Sequence, residues 1–224
     1  MTQKIDGKMF DEFKRIGKLL FQEGLVGGHG GDMSIRQGES IFITANGALL
    51  FELEEKDIIE VGLQANEKDL DASHELIVHR EIYNKINALA IIHAHPVNAT
   101  AISITDNKIV PQDATGLKVI KSASIVRAHE SIASGDIARL IPSFLTNGNV
   151  VAMVKGHGSF AVADDLMTAY RYTSVLENSC KILSVLRSTA SKPVSVEPQK
   201  RSFRPNAMPP ALGVMDRQRN RFSK

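Results

Sequence analysis

The chain has 224 residues, and its net charge of +2 gives no global reason to expect nucleic-acid binding. Hydrophobic residues make up 43% of the sequence, which predicts one sizeable domain with a buried core. The single cysteine, Cys180, excludes an internal disulfide framework and favours a reducing compartment. We find neither a signal-peptide core nor an apolar run of membrane length, and we therefore expect a cytoplasmic protein.

The N-terminal third predicts one helix followed by several strands. Apolar residues recur with helical spacing from Met9 to Gly24, where Gly24 is the expected C-cap. A cluster of glycines at 27–31 then precedes a short alternating strand. The run Ser40 to Thr44 predicts another strand, ending in an Asn46-Gly47 turn that offers a polar side chain and free amides. Asp57 to Val61 predicts a further strand.

A second helix is predicted after Ala72, because an apolar run with helical spacing begins there. Ser73 is a possible N-cap, and Glu75 falls in the first turn. Glu75 and His79 are four residues apart and therefore share a helix face. A carboxylate in this place can act as an acid and base or as a metal ligand, or it can merely favour the helix dipole.

Two histidines follow a β-branched run that predicts a buried strand, Leu89 to Ile92. His93 and His95 are two residues apart, so on a strand their side chains point to the same face. Pro96 marks the end of the strand. Both imidazoles could hold one metal ion, but two ligands do not make a zinc site.

The second half of the chain supplies a third histidine. Its predicted elements are a helix at Val97–Ile104, a loop at Val110–Asp113, a strand at Ser122–Ala128, a helix at Ser134–Leu145, strands at Val150–Val154 and Ser159–Val162, and a long helix from about Asp164 to Ser188. His157 lies between two glycines just after the Val150–Val154 run. Three imidazoles with an open position are typical of a catalytic zinc site.

Several motifs, in a compatible order, resemble those of one known family. They are Gly31-Asp32-Met33-Ser34-Ile35-Arg36, Ile43-Thr44-Ala45-Asn46-Gly47, Ser73-His74-Glu75 followed by His79 and Tyr83, His93-Ala94-His95-Pro96, Gly156-His157-Gly158, and Glu177. Over most of Gly28 to about Ile182 the chain is similar to the class II aldolase/adducin family.

The resemblance implies an α/β fold with three α/β/α layers around a central, mostly antiparallel mixed sheet. It implies a homotetramer with active sites between subunits, and one Zn²⁺ per subunit on His93, His95 and His157. In such aldolases zinc acts as a Lewis acid on the ketose and stabilises an enediolate. Glu75 would take the proton from the carbon nucleophile in the condensation direction.

The implied activity is cleavage of a ketose 1-phosphate to dihydroxyacetone phosphate and an aldehyde. Epimerases of the family usually carry Asp at the position of Glu75, so the glutamate favours aldol cleavage. A dehydratase or epimerase acting at the same metal site is the alternative. A non-catalytic, adducin-like module is a third reading, although such members typically lose the metal ligands.

The implied phosphate pocket departs from the family pattern. The matching positions are Asp32, Asn46, Gly47, Ser73 and His74, where the family has Asn, Thr-Gly and Ser-Ser. A carboxylate about 4 Å from a phosphate charge would cost about 4 kcal/mol at an effective dielectric of about 20. Either Asp32 turns away, or His74 and Arg36 compensate, or the anionic group is not the usual phosphate.

A catalytic tyrosine is also missing. The segment that aligns with the family's tyrosine region, Asp113 to Thr115, contains none. The residue that gives a proton to the aldehyde oxygen is therefore left unassigned.

The composition changes after residue 190, so we predict a domain over 1–190 and a basic, proline-containing tail over 191–224. As a hypothesis, the tail folds over an active site and brings Arg217 or Arg219 to an anionic substrate. A solvated tail is the alternative.

Overall fold

The computed structural model describes residues 5–28, 30–65 and 67–190. Its helices are α1 (Gly7–Gln22), α2 (Leu76–Lys85), α3 (Val97–Thr105), α4 (Ala114–Val119), α5 (Gly135–Leu140) and α6 (Leu166–Ala190). Its strands are β1 (Asp32–Gln37), β2 (Ser40–Thr44), β3 (Ile58–Gly62), β4 (Ala90–Ala94), β5 (Lys108–Ile109), β6 (Ala123–Val126), β7 (Val151–Val154) and β8 (Gly158–Ala163). The predicted tail and its arginines lie outside the described residues.

The strands form one sheet in the order β3-β2-β1-β4-β8-β7-β6-β5. Every neighbouring pair is antiparallel except β6 and β7, which are parallel. Helices cover both faces of the sheet, so the predicted three-layer architecture with a mostly antiparallel mixed sheet is confirmed.

The two faces are built by the alternation of side chains along the strands. In β4, Ile92 belongs to the core beneath α1 and α6, while Ile91 belongs to the core beneath α2 and α5. Both side chains are fully buried, as expected for a strand covered on both faces. On α1 the helical spacing of Phe13, Ile16 and Leu20 places all three in the core beneath α1 and α6, called the first core below.

Two local predictions needed correction, and the strand β5 and the helix α4 were not predicted. The second helix begins at Leu76, so Glu75 occupies the N-cap position rather than the first turn, and Ser73 lies before the cap. The predicted helix from Ser134 ends at Leu140 and continues as a 3₁₀ turn that contains Pro142, because proline disfavours the preceding α conformation. The two-residue strand β5 is too short to show a hydrophobic period.

Among the helices of the described residues, none combines the length and the apolar character that crossing a membrane requires.

Cys180 lies in the first core and has no exposed surface. Burial, followed by the charge of Glu177, raises the pKa of its thiol to about 12. The thiol is therefore protonated and inaccessible at neutral pH, and we expect negligible reaction of the native protein with a thiol-specific reagent. Denaturant should release one reactive thiol per chain. Rapid labelling of the native protein would contradict the packing of α6.

Candidate active site

A cavity of about 340 Å³ opens beside the ends of β1 and β4. All nine residues that the sequence proposed for the site line it: Asp32, Asn46, Gly47, Ser73, His74, Glu75, His93, His95 and His157. Glycines and alanines supply most of the remaining wall, with Ile132 as its one large apolar residue. No lysine or arginine is among these described lining residues.

Three histidines converge at the floor of the cavity, and one ring nitrogen of each lies within 4.8 Å of the others. The Nε2 atoms of His93 and His95 are 2.9 Å apart. Two nitrogens on one tetrahedral zinc ion, each at about 2.0–2.1 Å, would be about 3.3 Å apart. The cluster therefore approaches the spacing that a shared metal ion requires.

The protonation of His93 also suits a metal ligand. Its Nδ1 lies 3.0 Å from the carbonyl oxygen of Ser159, which can only accept, so Nδ1 carries the proton. Burial lowers the pKa of His93 to about 3, which leaves the ring neutral, with the unprotonated Nε2 facing His95 Nε2. The pKa of His157 is likewise lowered to about 4, chiefly by burial. These neutral imidazoles fit a divalent metal ion.

Two glycines provide the space for the histidine rings. A Cβ atom on Gly158 would lie 2.4 Å from the carbonyl oxygen of Ala94, 2.6 Å from His95 Cδ2 and 3.0 Å from His93 Cε1. A Cβ atom on Gly30 would lie 2.4 Å from His95 Cε1. Any larger residue at either position would displace the rings.

Glu75 reaches the cavity from the N-terminus of α2. Its Oε1 accepts a hydrogen bond of 2.9 Å from the amide of Ala133 and lies 3.8 Å from His157 Nε2. Its Oε2 is buried and has no hydrogen-bond partner among the described residues. Burial and the charge of Asp32 raise the pKa of this carboxyl to about 7, against the effects of Ala133 and His79. A carboxyl of this kind can both take and return a proton near neutral pH.

Sequence reasoning missed the contribution of Ala133. This residue has φ of +46°, in the left-handed region that non-glycine residues seldom adopt, and that backbone turn aims its amide at Glu75. Nothing in the local sequence signals such a conformation, since alanine is not a residue that favours it.

Asp32 lies at the cavity wall, but its oxygens are held by the protein. Oδ1 lies 2.8 Å from His79 Nε2, and Oδ2 accepts a hydrogen bond of 2.8 Å from Ser73 Oγ. Although burial opposes ionisation most strongly, His79 and the other neighbours lower the pKa of Asp32 to about 2. The carboxylate is therefore ionised and compensated by His79, rather than by His74 or Arg36.

Arg36 serves a different purpose. Its guanidinium donates to the carbonyl oxygens of Gly38 and Tyr83, at 2.9 and 2.8 Å. It therefore ties β1 to the end of α2.

The Asn46-Gly47 turn borders the cavity, but its amides are less free than predicted. The amide of Asn46 donates to the carbonyl of Asp71, and that of Ala48 to Ala45. Gly47 has φ of +74°, which explains the glycine at this position.

No tyrosine of the chain lines the described cavity. Tyr83 is buried against Ser34, and the hydroxyl of Tyr170 bonds to Glu23. Asp113, in the segment aligned with the missing tyrosine, caps α4 through the amide of Gly116.

Glu177 holds the segment that follows the histidine pair. Its buried carboxylate accepts hydrogen bonds from the amides of Asn98 and Ala99 and from the Asn98 side chain, all within 3.2 Å. It therefore anchors the N-terminus of α3, directly after His95-Pro96.

The family of the chain follows from the comparison with family models. The model described as Class II Aldolase and Adducin N-terminal domain matches residues 11–184, so the chain belongs to this family. Its members' metal dependence agrees with the three converging histidines, and the chain is an enzyme of the class II aldolase superfamily with lyase activity.

Individual relatives are similar over most of the chain. An L-fuculose phosphate aldolase of Methanococcus maripaludis is 32% identical over 177 residues, 79% of this chain and 96% of that protein. The crystal structure of L-fuculose-1-phosphate aldolase from Thermus thermophilus superposes with a TM-score of 0.79 at 29% identity, covering 83% of this chain and 97% of that one. A methylthioribulose-1-phosphate dehydratase of Acidiphilium cryptum is 28% identical over 183 residues, 74% of this chain and 85% of that protein.

The space at Gly158 gives a direct test of the histidine cluster. We expect Gly158→Ala to lower zinc affinity by at least about tenfold, because the new methyl group displaces His93, His95 and the carbonyl oxygen of Ala94 between them. Zinc binding is measured by competition with a chromophoric chelator. Gly135→Ala is the matched control, since a Cβ atom there meets nothing within 4 Å. Equal zinc affinity in both variants would show that the rings do not hold the metal in the described arrangement.

Proposed function

We propose that the protein is a zinc-dependent aldolase that cleaves a ketose 1-phosphate to dihydroxyacetone phosphate and an aldehyde. One observation carries the proposal: the three converging imidazoles and the unpartnered Oε2 of Glu75 share one cavity. The names of the two aldolases to which the chain is similar support this reaction and a fuculose-1-phosphate-like substrate.

His93, His95 and His157 hold the zinc ion. When bound, it supplies Lewis-acid polarisation of the ketose carbonyl and the adjacent hydroxyl. The chain's own residues do the rest. The carbonyl of Ser159 keeps His93 in the tautomer with a free Nε2, and the glycines at 30 and 158 leave room for the rings.

Glu75 moves the proton. In the condensation direction its Oε2 accepts the proton that leaves the carbon nucleophile, and in cleavage it returns that proton to the same carbon after the carbon–carbon bond breaks. The amide of Ala133 holds Oε1, so Oε2 is the oxygen left for the substrate.

Asn46, Gly47, Ser73 and His74 take the phosphate. All four line the cavity, and they provide polar side chains and backbone without a lysine or arginine. We also propose that the enzyme is a homotetramer with the remaining catalytic groups at a subunit contact, and that it works in the cytoplasm. The sole, buried cysteine is compatible with a reducing compartment.

The role of Glu75 is tested by Glu75→Gln. The amide cannot take up the proton, so we expect the turnover number for ketose phosphate cleavage to fall by about 10²–10⁴ while zinc stays bound. The assay couples dihydroxyacetone phosphate to a reductase, and metal analysis gives the zinc content. Glu39→Gln, on the exposed turn after β1, is the control. Full turnover in zinc-loaded Glu75→Gln would rule out this mechanism.

Removal of the metal tests the cofactor separately. Dialysis against a chelator should abolish cleavage, and stoichiometric Zn²⁺ should restore it, because the three histidines alone provide no Lewis acid. Inductively coupled plasma mass spectrometry follows the metal content. Undiminished cleavage by protein free of metal would contradict the proposal.

A dehydratase acting on a sugar phosphate is the second candidate. Two observations favour it: the similarity to a methylthioribulose-1-phosphate dehydratase and the lack of a tyrosine in the described cavity lining. Incubation of the zinc-loaded protein with candidate ketose phosphates distinguishes the reactions, since an aldolase yields a trappable aldehyde and a dehydratase yields a product lighter by one water. The non-catalytic reading is not favoured, because all three metal-binding histidines are present and converge.

A further inference from the structure

His79 is a buried histidine that the proposed chemistry does not use. It lies one turn after Glu75 on α2 and has no exposed surface. Its Nε2 atom is 2.8 Å from Oδ1 of Asp32, an acidic residue whose charge is at odds with a phosphate in this cavity. His79 therefore connects α2, the helix at whose N-terminus Glu75 lies, to Asp32, which departs from the family pattern.

The other side of the imidazole is also fixed. Nδ1 lies 2.7 Å from Ser34 Oγ, which in turn lies 2.8 Å from the Tyr83 hydroxyl. The Tyr83 hydroxyl donates to the carbonyl oxygen of Ser34 at 3.1 Å. Since Ser34 and Tyr83 are themselves buried, the ring cannot turn without breaking this chain of polar contacts.

The contact between His79 Nε2 and Asp32 Oδ1 has the distance of an ion pair, and neither atom has a hydrogen-bond partner among the described residues. Ser73 donates a hydrogen bond to the other oxygen of Asp32. Both oxygens thus contact groups of the protein, and only 4% of the residue is exposed although it borders the cavity.

We infer that His79 is a positioning residue that determines specificity: it holds the Asp32 carboxylate in the protein so that the cavity can admit a phosphate-bearing substrate. The inference rests on the proposed function. Without the contact at Nε2, the carboxylate is free to turn into the cavity, where it repels a phosphate. In this role His79 does not touch the substrate, and its effect depends on the acid at position 32.

Inorganic phosphate binding to the zinc-loaded full chain, measured by isothermal titration calorimetry, tests the inference. Asparagine at position 79 can replace only Nδ1, whereas glutamine places an amide nitrogen near the position of Nε2. We expect His79→Asn to weaken phosphate binding by about tenfold or more, and His79→Gln to stay within about threefold of the wild type. The Michaelis constant of the ketose phosphate should rise in parallel in His79→Asn, with a much smaller change in turnover number.

A second substitution, Asp32→Asn, tests whether the Asp32 carboxylate causes the loss of phosphate binding in His79→Asn. The double variant Asp32→Asn/His79→Asn should bind phosphate within about threefold of Asp32→Asn alone, because no carboxylate is left to restrain. Zinc content and thermal unfolding are measured for each variant. If His79 had a merely structural role, its substitution would lower phosphate affinity equally with Asp and with Asn at position 32.

Wild-type phosphate affinity in His79→Asn, or failure of Asp32→Asn to rescue it, would overturn the inference. If His79→Asn does not fold, Ser34→Ala replaces it, since it frees the ring at Nδ1. We expect about a threefold loss of phosphate affinity that Asp32→Asn reverses, and an unchanged affinity contradicts the inference. A wild-type protein that neither binds phosphate nor cleaves a ketose phosphate contradicts the proposed function, and this inference with it. If only the inference is wrong, the wild-type protein still binds phosphate and cleaves the ketose phosphate, and only the variants depart from the expected results.

Discussion

The register of β4 between β1 and β8 is the constraint on which the site depends. It places His93 opposite Asp32 on one side and opposite Phe160 on the other. The same pairing brings the carbonyl of Ser159 to His93 Nδ1, which fixes the tautomer. A shift of β4 by one residue would turn His93 to the opposite face of the sheet and separate it from His157. The metal-binding cluster is therefore a product of strand pairing as much as of its three side chains.

Around this cluster the charges are arranged in two different ways. Asp32 is ionised and held by its contacts with His79 and Ser73, whereas the neighbouring Glu75 has a raised pKa. The negative charge of Asp32 contributes to the shift at Glu75. Two neighbouring carboxyl groups whose environments move their pKa values apart are typical of sites that separate a structural from a proton-transfer role.

The similarity to an aldolase and to a dehydratase agrees with a scaffold that fixes the metal and varies the surrounding groups. The resemblance places Asp32 and His74 at positions where the family pattern has other residues. The buried pairing of Asp32 with His79 shows how such a replacement can be accommodated without a free charge in the cavity. The identity of the reaction thus depends on groups beyond the three histidines.

The sequence by itself determined most of the strands and the candidate histidine ligands, because hydrophobic period and motif order are local properties that the chain displays directly. The layers were predicted only from the resemblance to the family. His93 and His95 share a strand face, and His157 lies between two glycines, so both could be read without a structure. The partners of Asp32 and Glu75 could not be predicted in the same way. His79 lies 47 residues after Asp32, and Ala133 lies 58 residues after Glu75 in a left-handed turn. Only tertiary packing decides such contacts, because they depend on which elements meet in space and not on spacing along the chain.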